Sequence, residues 1–124
     1  MTQTQAVVAL VEAYFDLAYE PKSRDFDKIF HPNGRVQWVH EGELNVLSSP
    51  EYAVLINGRL SPRSACAPRD EAILSMEHIS DSLSTATVRV RIGNKLFNDH
   101  LAMHKVEGAW LIATKASAVM RTFD

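Results

Sequence analysis

From residue 71 onward the chain reads as strand, turn, strand, turn. Four alternating segments, "EAILSMEHIS", "STATVRVRI", "KLFNDHLAMHKV" and "AWLIATKASAVM", are separated by the turn signals Asp81-Ser82, Gly93-Asn94 and Glu107-Gly108. Connections this short join neighbouring antiparallel strands, whereas parallel neighbours need a crossover of a dozen residues or more. The second half therefore predicts a four-strand meander, and a parallel α/β fold is set aside.

The first half supplies helices. Over residues 5–20, Val7, Leu10, Val11, Tyr14, Leu17 and Ala18 recur at helical spacing, with Glu12, Asp16 and Glu20 towards the other side. Thr4 is the expected N-cap and Pro21 the stop. "SRDFDKIFHP" reads as a short second helix, capped by Ser23, with Phe26, Ile29 and Phe30 inward and Pro32 ending it. "GRVQWVH" alternates as a strand, with Val36, Trp38 and His40 on one face, and "GELNVLS" reads as its partner. A third helix is expected in "SSPEYAVLINGRL", with Ser49 as N-cap, Pro50 at the first helical position and Gly58 just past the end. Residues 59–70 hold two prolines and no period, and read as loop. Three helices with about six short strands predict an α+β fold.

The chain has 124 residues, so one domain over 1–124 is expected. A net charge of −2, with basic and acidic residues interleaved, offers no basic stripe for a nucleic-acid backbone. One cysteine, Cys66, allows no intrachain disulfide and fits a reducing compartment. The start lacks a basic n-region and carries Glu12 and Asp16 among its apolar residues, so no signal peptide is expected. No apolar run reaches membrane-spanning length. These readings predict a cytoplasmic protein with neither a membrane nor a nucleic-acid partner.

The most informative stretch is "FNDHLAMHKVEGAWLIATK", residues 97–115. With Glu107-Gly108 as a two-residue turn, Val106 opposes Ala109 and Met103 opposes Ile112. Alternation then puts Asp99, Leu101, Met103, Trp110, Ile112, Thr114 and Ala116 on one face. His100, Ala102, His104, Val106, Leu111, Ala113, Lys115 and Ser117 fall on the other. The first face has the larger apolar side chains and should pack on the helices. Asp99 lies among them, and a buried carboxylate must find partners, stay neutral or meet water, because leaving it bare costs roughly several kcal/mol. Each outcome implies a polar spot in the interior. The competing expectation is that Asp99 sits near the sheet edge and caps a loop.

"FHPNGR" at 30–35, "RDEAILS" at 69–75 and the pattern F.D.L...KV.G.W.I..K at 97–115 give the chain a family likeness. In this order and spacing it resembles the NTF2-like, or SnoaL-like, superfamily, and within it the sub-family called putative lumazine-binding. The resemblance implies a cone-shaped fold, with the helices packed on a curved, mainly antiparallel sheet and a pocket between them. It implies a small organic ligand and a homodimer through the convex sheet face, where Ala102, Leu111 and Ala113 are placed. Members include isomerases, dehydratases, cyclases and binders without catalysis, so catalysis stays open. Tyr14 and Asp99 fit an inward tyrosine–acid pair such as isomerase-like members use. They are the expected catalytic residues, with Asp99 as general acid or hydrogen-bond donor. The stretch "ATKAS" is read as offering no acid or base on the inward face, so the second acid/base group is missing.

Trp38, Tyr52, Phe30, His40, Leu101, Met103 and Ile112 are the expected ligand-binding residues, an assignment that core packing or a loop position for His40 would explain equally. No metal is expected: His100 and His104 at i, i+4 on a strand stand about 13 Å apart, too far to share an ion. Cys66 has no base beside it, and no phosphate-binding loop occurs. No cofactor is expected. The leading expectation is a mainly apolar pocket for a small organic ligand; if the chain is an enzyme, the reaction expected is a cofactor-free proton transfer, isomerisation or dehydration. A ligand carrier and a structural dimerisation domain are the alternatives.

Overall fold

The computed structural model describes residues 1–124. Two α-helices and six strands run in the order α1 (Gln3–Tyr19), β1 (Phe30–His40), β2 (Glu43–Ser48), α2 (Ser49–Gly58), β3 (Glu71–His78), β4 (Leu83–Ile92), β5 (Lys95–Val106) and β6 (Ala109–Thr122). All six strands form one curved sheet, ordered β2-β1-β6-β5-β4-β3. Every neighbouring pair is antiparallel except β1 with β6. The α+β reading and the meander hold.

The helix count does not. Residues 23–32 form only a 3-10 turn at Phe26–Lys28, capped by Asp25. The chain then becomes strand at Phe30, which stands beside Ile112, while the Ile112 amide donates to the Ile29 carbonyl at 2.8 Å. Pairing with a strand distant in the sequence outweighs the local helical spacing. Both true helices also start earlier than predicted, α1 capped by Thr2 instead of Thr4 and α2 by Ser48 instead of Ser49. Thr2 and Gln5 form a reciprocal capping box for α1, and Ser48 and Glu51 form one for α2. Ser49 is left free to donate its hydroxyl to the His31 carbonyl at 2.6 Å.

The six periodic residues of α1 are all buried, against sheet residues Ala86, Val88, Leu101, Met103 and Ile112. The hairpin β5–β6 begins in the expected register, with Val106 opposite Ala109 and Met103 opposite Ile112. The next pair is Ala102 with Thr114, so Ala113 is an extra residue in β6. A bulge of this kind bends a strand and inverts the facing of everything beyond it. Lys115 and Ser117 therefore share the inner face with Leu101 and Asp99, which they oppose.

Gly34 makes room for that bulge. A Cβ on it would meet the Ser49 hydroxyl at 2.8 Å, the Ala113 carbonyl at 2.9 Å and the His31 carbonyl at 3.0 Å. Two of the three are backbone atoms. Gly34→Ala should therefore destabilise by about 1–3 kcal/mol through overpacking, outweighing the roughly 0.4–1 kcal/mol usually gained by stiffening the unfolded chain. A drop in the urea midpoint at unchanged slope checks this; an unchanged or raised midpoint refutes it.

Candidate functional site

Asp99 is 1% exposed and Lys115 4% exposed. They meet near the first helix. The Tyr14 hydroxyl, from α1, donates to Asp99 Oδ2 at 2.5 Å. Lys115 Nζ donates to the Tyr14 oxygen at 2.8 Å and to the Tyr52 oxygen, from α2, at 2.6 Å. Its ammonium lies 4.9 Å from the Tyr14 ring centre and 4.4 Å from that of Tyr52, within cation–π range. Asp99 Oδ2 is 4.0 Å from Lys115 Nζ, an ion pair but beyond hydrogen-bonding distance. Four elements, α1, α2, β5 and β6, thus hold one buried network in which each charge has an opposite charge nearby.

Two hydrogen-bonding functions in this network remain unspent. Asp99 Oδ1 is buried without any partner. Tyr52 accepts from Lys115 but donates to no protein group. Asp99 and Tyr52 both border the same cavity of about 210 Å³, together with Lys115, Ser117, Val36, Trp38 and Phe97. One acceptor and one donor, beside a cation, thus belong to residues that wall an otherwise largely apolar chamber.

Burial pushes the Tyr14 phenol well above its usual range, and the charges of Asp99 and Tyr52 push the same way, as does the hydrogen bond to Asp99. A phenol whose pKa is higher folded than unfolded contributes no pH dependence while both states are protonated. Above about pH 10 the unfolded chain ionises first, and folding loses stability. Tyr14→Phe should therefore flatten the alkaline limb of a stability–pH curve relative to the parent chain. Parallel limbs in urea titrations between about pH 8 and 11, the range that brackets an ordinary phenol, would refute the assignment.

The predicted ligand residues divide. Trp38, Tyr52 and His40 border the cavity with Asp99. Phe30, Leu101, Met103 and Ile112 do not: they are core, Phe30 stacked on Phe26 at 5.0 Å and edge-on to Tyr14. They share the inner surface, but at the end that the helices and the aromatic cluster cover. Tyr14 is fully buried and reaches the chamber only through Asp99 and Lys115. The structure brings the two expected catalytic residues together, with Asp99 Oδ2 accepting from the Tyr14 hydroxyl. The expectation of no inward base in "ATKAS" is overturned by Lys115, which the Ala113 bulge turns inward. Its signal was present in the motif F.D.L...KV.G.W.I..K, which ends on that residue. Arg59, just after α2, and Lys95, which opens β5, also border the cavity and carry no sequence signature of a site.

Solved structures define the fold class as NTF2-like. An NTF2-like protein of unknown function from Shewanella baltica superposes with a TM-score of 0.83 at 19% identity, covering 98% of this chain and 99% of that one. One from Silicibacter pomeroyi gives 0.77 at 22% identity, covering 96% and 99%. A de novo designed protein with a curved β-sheet gives 0.62 at 16% identity, covering 94% and 99%. Residues 2–117 match the family model described as putative lumazine-binding, and the chain belongs to that family. No functionally curated protein matches the sequence. This architecture alone specifies no chemistry, and function follows from the site.

Proposed function

We propose that the chain binds a small organic molecule in the cavity above Asp99 and Lys115 and moves a proton on it without a cofactor. The observation carrying this reading is the buried Asp99, one carboxylate oxygen of which has no partner, in the wall of a chamber that Lys115 and Tyr52 also line. Buried polar groups are almost always satisfied, so an orphan acceptor calls for a donor from outside the protein.

The arrangement suits a carbonyl compound with an acidic C–H. Asp99 Oδ1 takes the proton from the carbon next to the carbonyl. The C–H electron pair becomes the enolate double bond, and the carbonyl π pair moves onto oxygen. That oxygen accepts from the Tyr52 hydroxyl, with the Lys115 ammonium 2.6 Å behind it. In a β,γ-unsaturated compound the oxygen pair re-forms the carbonyl and the enolate double bond shifts to the α,β position. The former alkene pair takes the proton back at the γ-carbon, which completes an isomerisation. Giving it to a departing β-hydroxyl, which leaves as water, completes a dehydration. Tyr14 holds the other carboxylate oxygen and so fixes the direction of Oδ1. A second copy packed on the outer sheet face, where Ala102, Leu111 and Ala113 are only partly covered, belongs to the same reading.

A carrier without catalysis is the second reading, favoured by the same unspent pair: a lactam edge offers one N–H and one C=O, which would satisfy Asp99 and Tyr52 together. Hydrogen–deuterium exchange separates the two. The full chain is incubated in deuterium oxide with a compact neutral ketone such as 2-tetralone, and the α-proton signal is followed by NMR. Loss of signal faster than in buffer, abolished in Asp99→Asn, supports proton transfer. Exchange no faster than in buffer overturns it.

A further inference from the structure

The mouth of the cavity carries charge that proton transfer does not use. Arg24, Arg69 and Arg89 each hold a carboxylate at 2.7 to 2.9 Å. Arg59 and Lys95, which border the cavity, have no carboxylate within ion-pair distance, and neither side chain makes a hydrogen bond. Three fixed cations, Arg59, Lys95 and Lys115, thus face a single carboxylate, Asp99. The chain as a whole is acidic, at −2, so the local excess of positive charge does not follow from composition.

The two sets of cations are not equivalent. Lys115 is matched by Asp99 and shielded by two tyrosines. Arg59 and Lys95 are exposed and uncompensated. A bound anion there keeps part of its hydration, so its desolvation cost is small, and an arginine offers a carboxylate two parallel N–H donors. The rest of the wall is mostly apolar, with Trp38, Leu55, Ile92 and Phe97. The volume of about 210 Å³ lies below the roughly 300–1,000 Å³ usual for drug-sized ligands, and selects a compact molecule.

We infer that the ligand is a compact organic anion. Its carboxylate lies at the mouth against Arg59 and Lys95, its apolar body lies beside Trp38 and Phe97, and its other end reaches Asp99. This rests on the cavity being the binding site, as proposed above, and adds the charge class of the ligand. Opposite charge at a cleft mouth also raises the local concentration of such a molecule, in a salt-dependent way.

The test is a matched pair of probes, phenylacetate and its neutral isostere phenylacetamide, titrated into the isotope-labelled full chain at low salt and followed by NMR at the Trp38 and Tyr52 resonances. Phenylacetate should bind about tenfold tighter, the amount one charge-assisted contact supplies. In an Arg59→Gln, Lys95→Gln double variant the ratio should collapse towards one. Both positions are exposed, so the variant should fold as the parent does. Equal binding of the two probes to the parent chain overturns the inference while leaving the cavity as the binding site. A preference that survives in the double variant also overturns it, and moves the anion to Lys115. If neither probe shifts those resonances, the cavity reading falls with it. Failure of proton transfer alone shows as absent deuterium exchange with the charge preference intact.

Discussion

Replacing Lys115 by methionine is expected to destabilise the fold by about 3–5 kcal/mol, although methionine fills much the same space and is the more hydrophobic residue. The cost arises from what is left behind. Asp99, 1% exposed, would keep a single hydrogen bond from Tyr14 and lose the one cation within ion-pair distance of it. Breaking a buried ion pair from one side strands the other charge in a medium that solvates it poorly. Tyr52 would also lose its only donor. The double variant Lys115→Met, Asp99→Asn removes both charges together. It should recover much of the loss, so the two substitutions will be non-additive by about 1–3 kcal/mol. Urea unfolding of the parent, both single variants and the double variant measures all four corners. A neutral Lys115→Met, or strict additivity, would show that the two side chains do not form a buried pair.

The same counting rule that makes Asp99 legible in the sequence hides Lys115. Strand β5 pairs with β4 without interruption from Lys95 opposite Ile92 to His104 opposite Leu83. Alternation counted from the Glu107-Gly108 turn therefore carries correctly to Asp99. On β6 the count fails one residue past Ile112, where Ala113 bulges. Nothing in "IATKA" marks the bulge, because its cause lies elsewhere in the chain. Gly34 of β1 lies against the Ala113 carbonyl so closely that a Cβ at 34 would meet it at 2.9 Å. The lost helix at 23–32 has the same origin, since its end is drawn into parallel pairing with β6. Local pattern was decisive where the competing contacts were also local, as along α1 and in the meander. It failed where β1, distant in the sequence from its neighbour β6, imposed its own geometry. The core positions Phe30, Leu101, Met103 and Ile112 illustrate a third limit. Parity names the surface a residue joins, but the extent of the helices decides which part of that surface stays open.

Asp99→Asn is expected to slow deuterium exchange of a bound ketone by roughly 10²–10⁴-fold, the usual contribution of a positioned general base. The substitution is nearly isosteric. The amide oxygen it introduces can still accept from Tyr14, so the hydroxyl network and the cavity wall are kept. What changes is proton affinity: an amide oxygen cannot hold the proton that a carboxylate takes from carbon. Ligand affinity should therefore stay within a few-fold of the parent while the exchange rate falls, a split between binding and turnover that a merely structural role for Asp99 would not produce. Lost stability would lower binding and rate together. The fraction folded, read from the NMR spectrum of the same sample, separates that case. Because Lys115 is then left without its counter-ion, the variant should also bind an anion no less tightly than the parent. If Asp99→Asn exchanges as fast as the parent chain, Asp99 is not the base, and the unpaired oxygen at the chamber is there to hold a ligand rather than to change it.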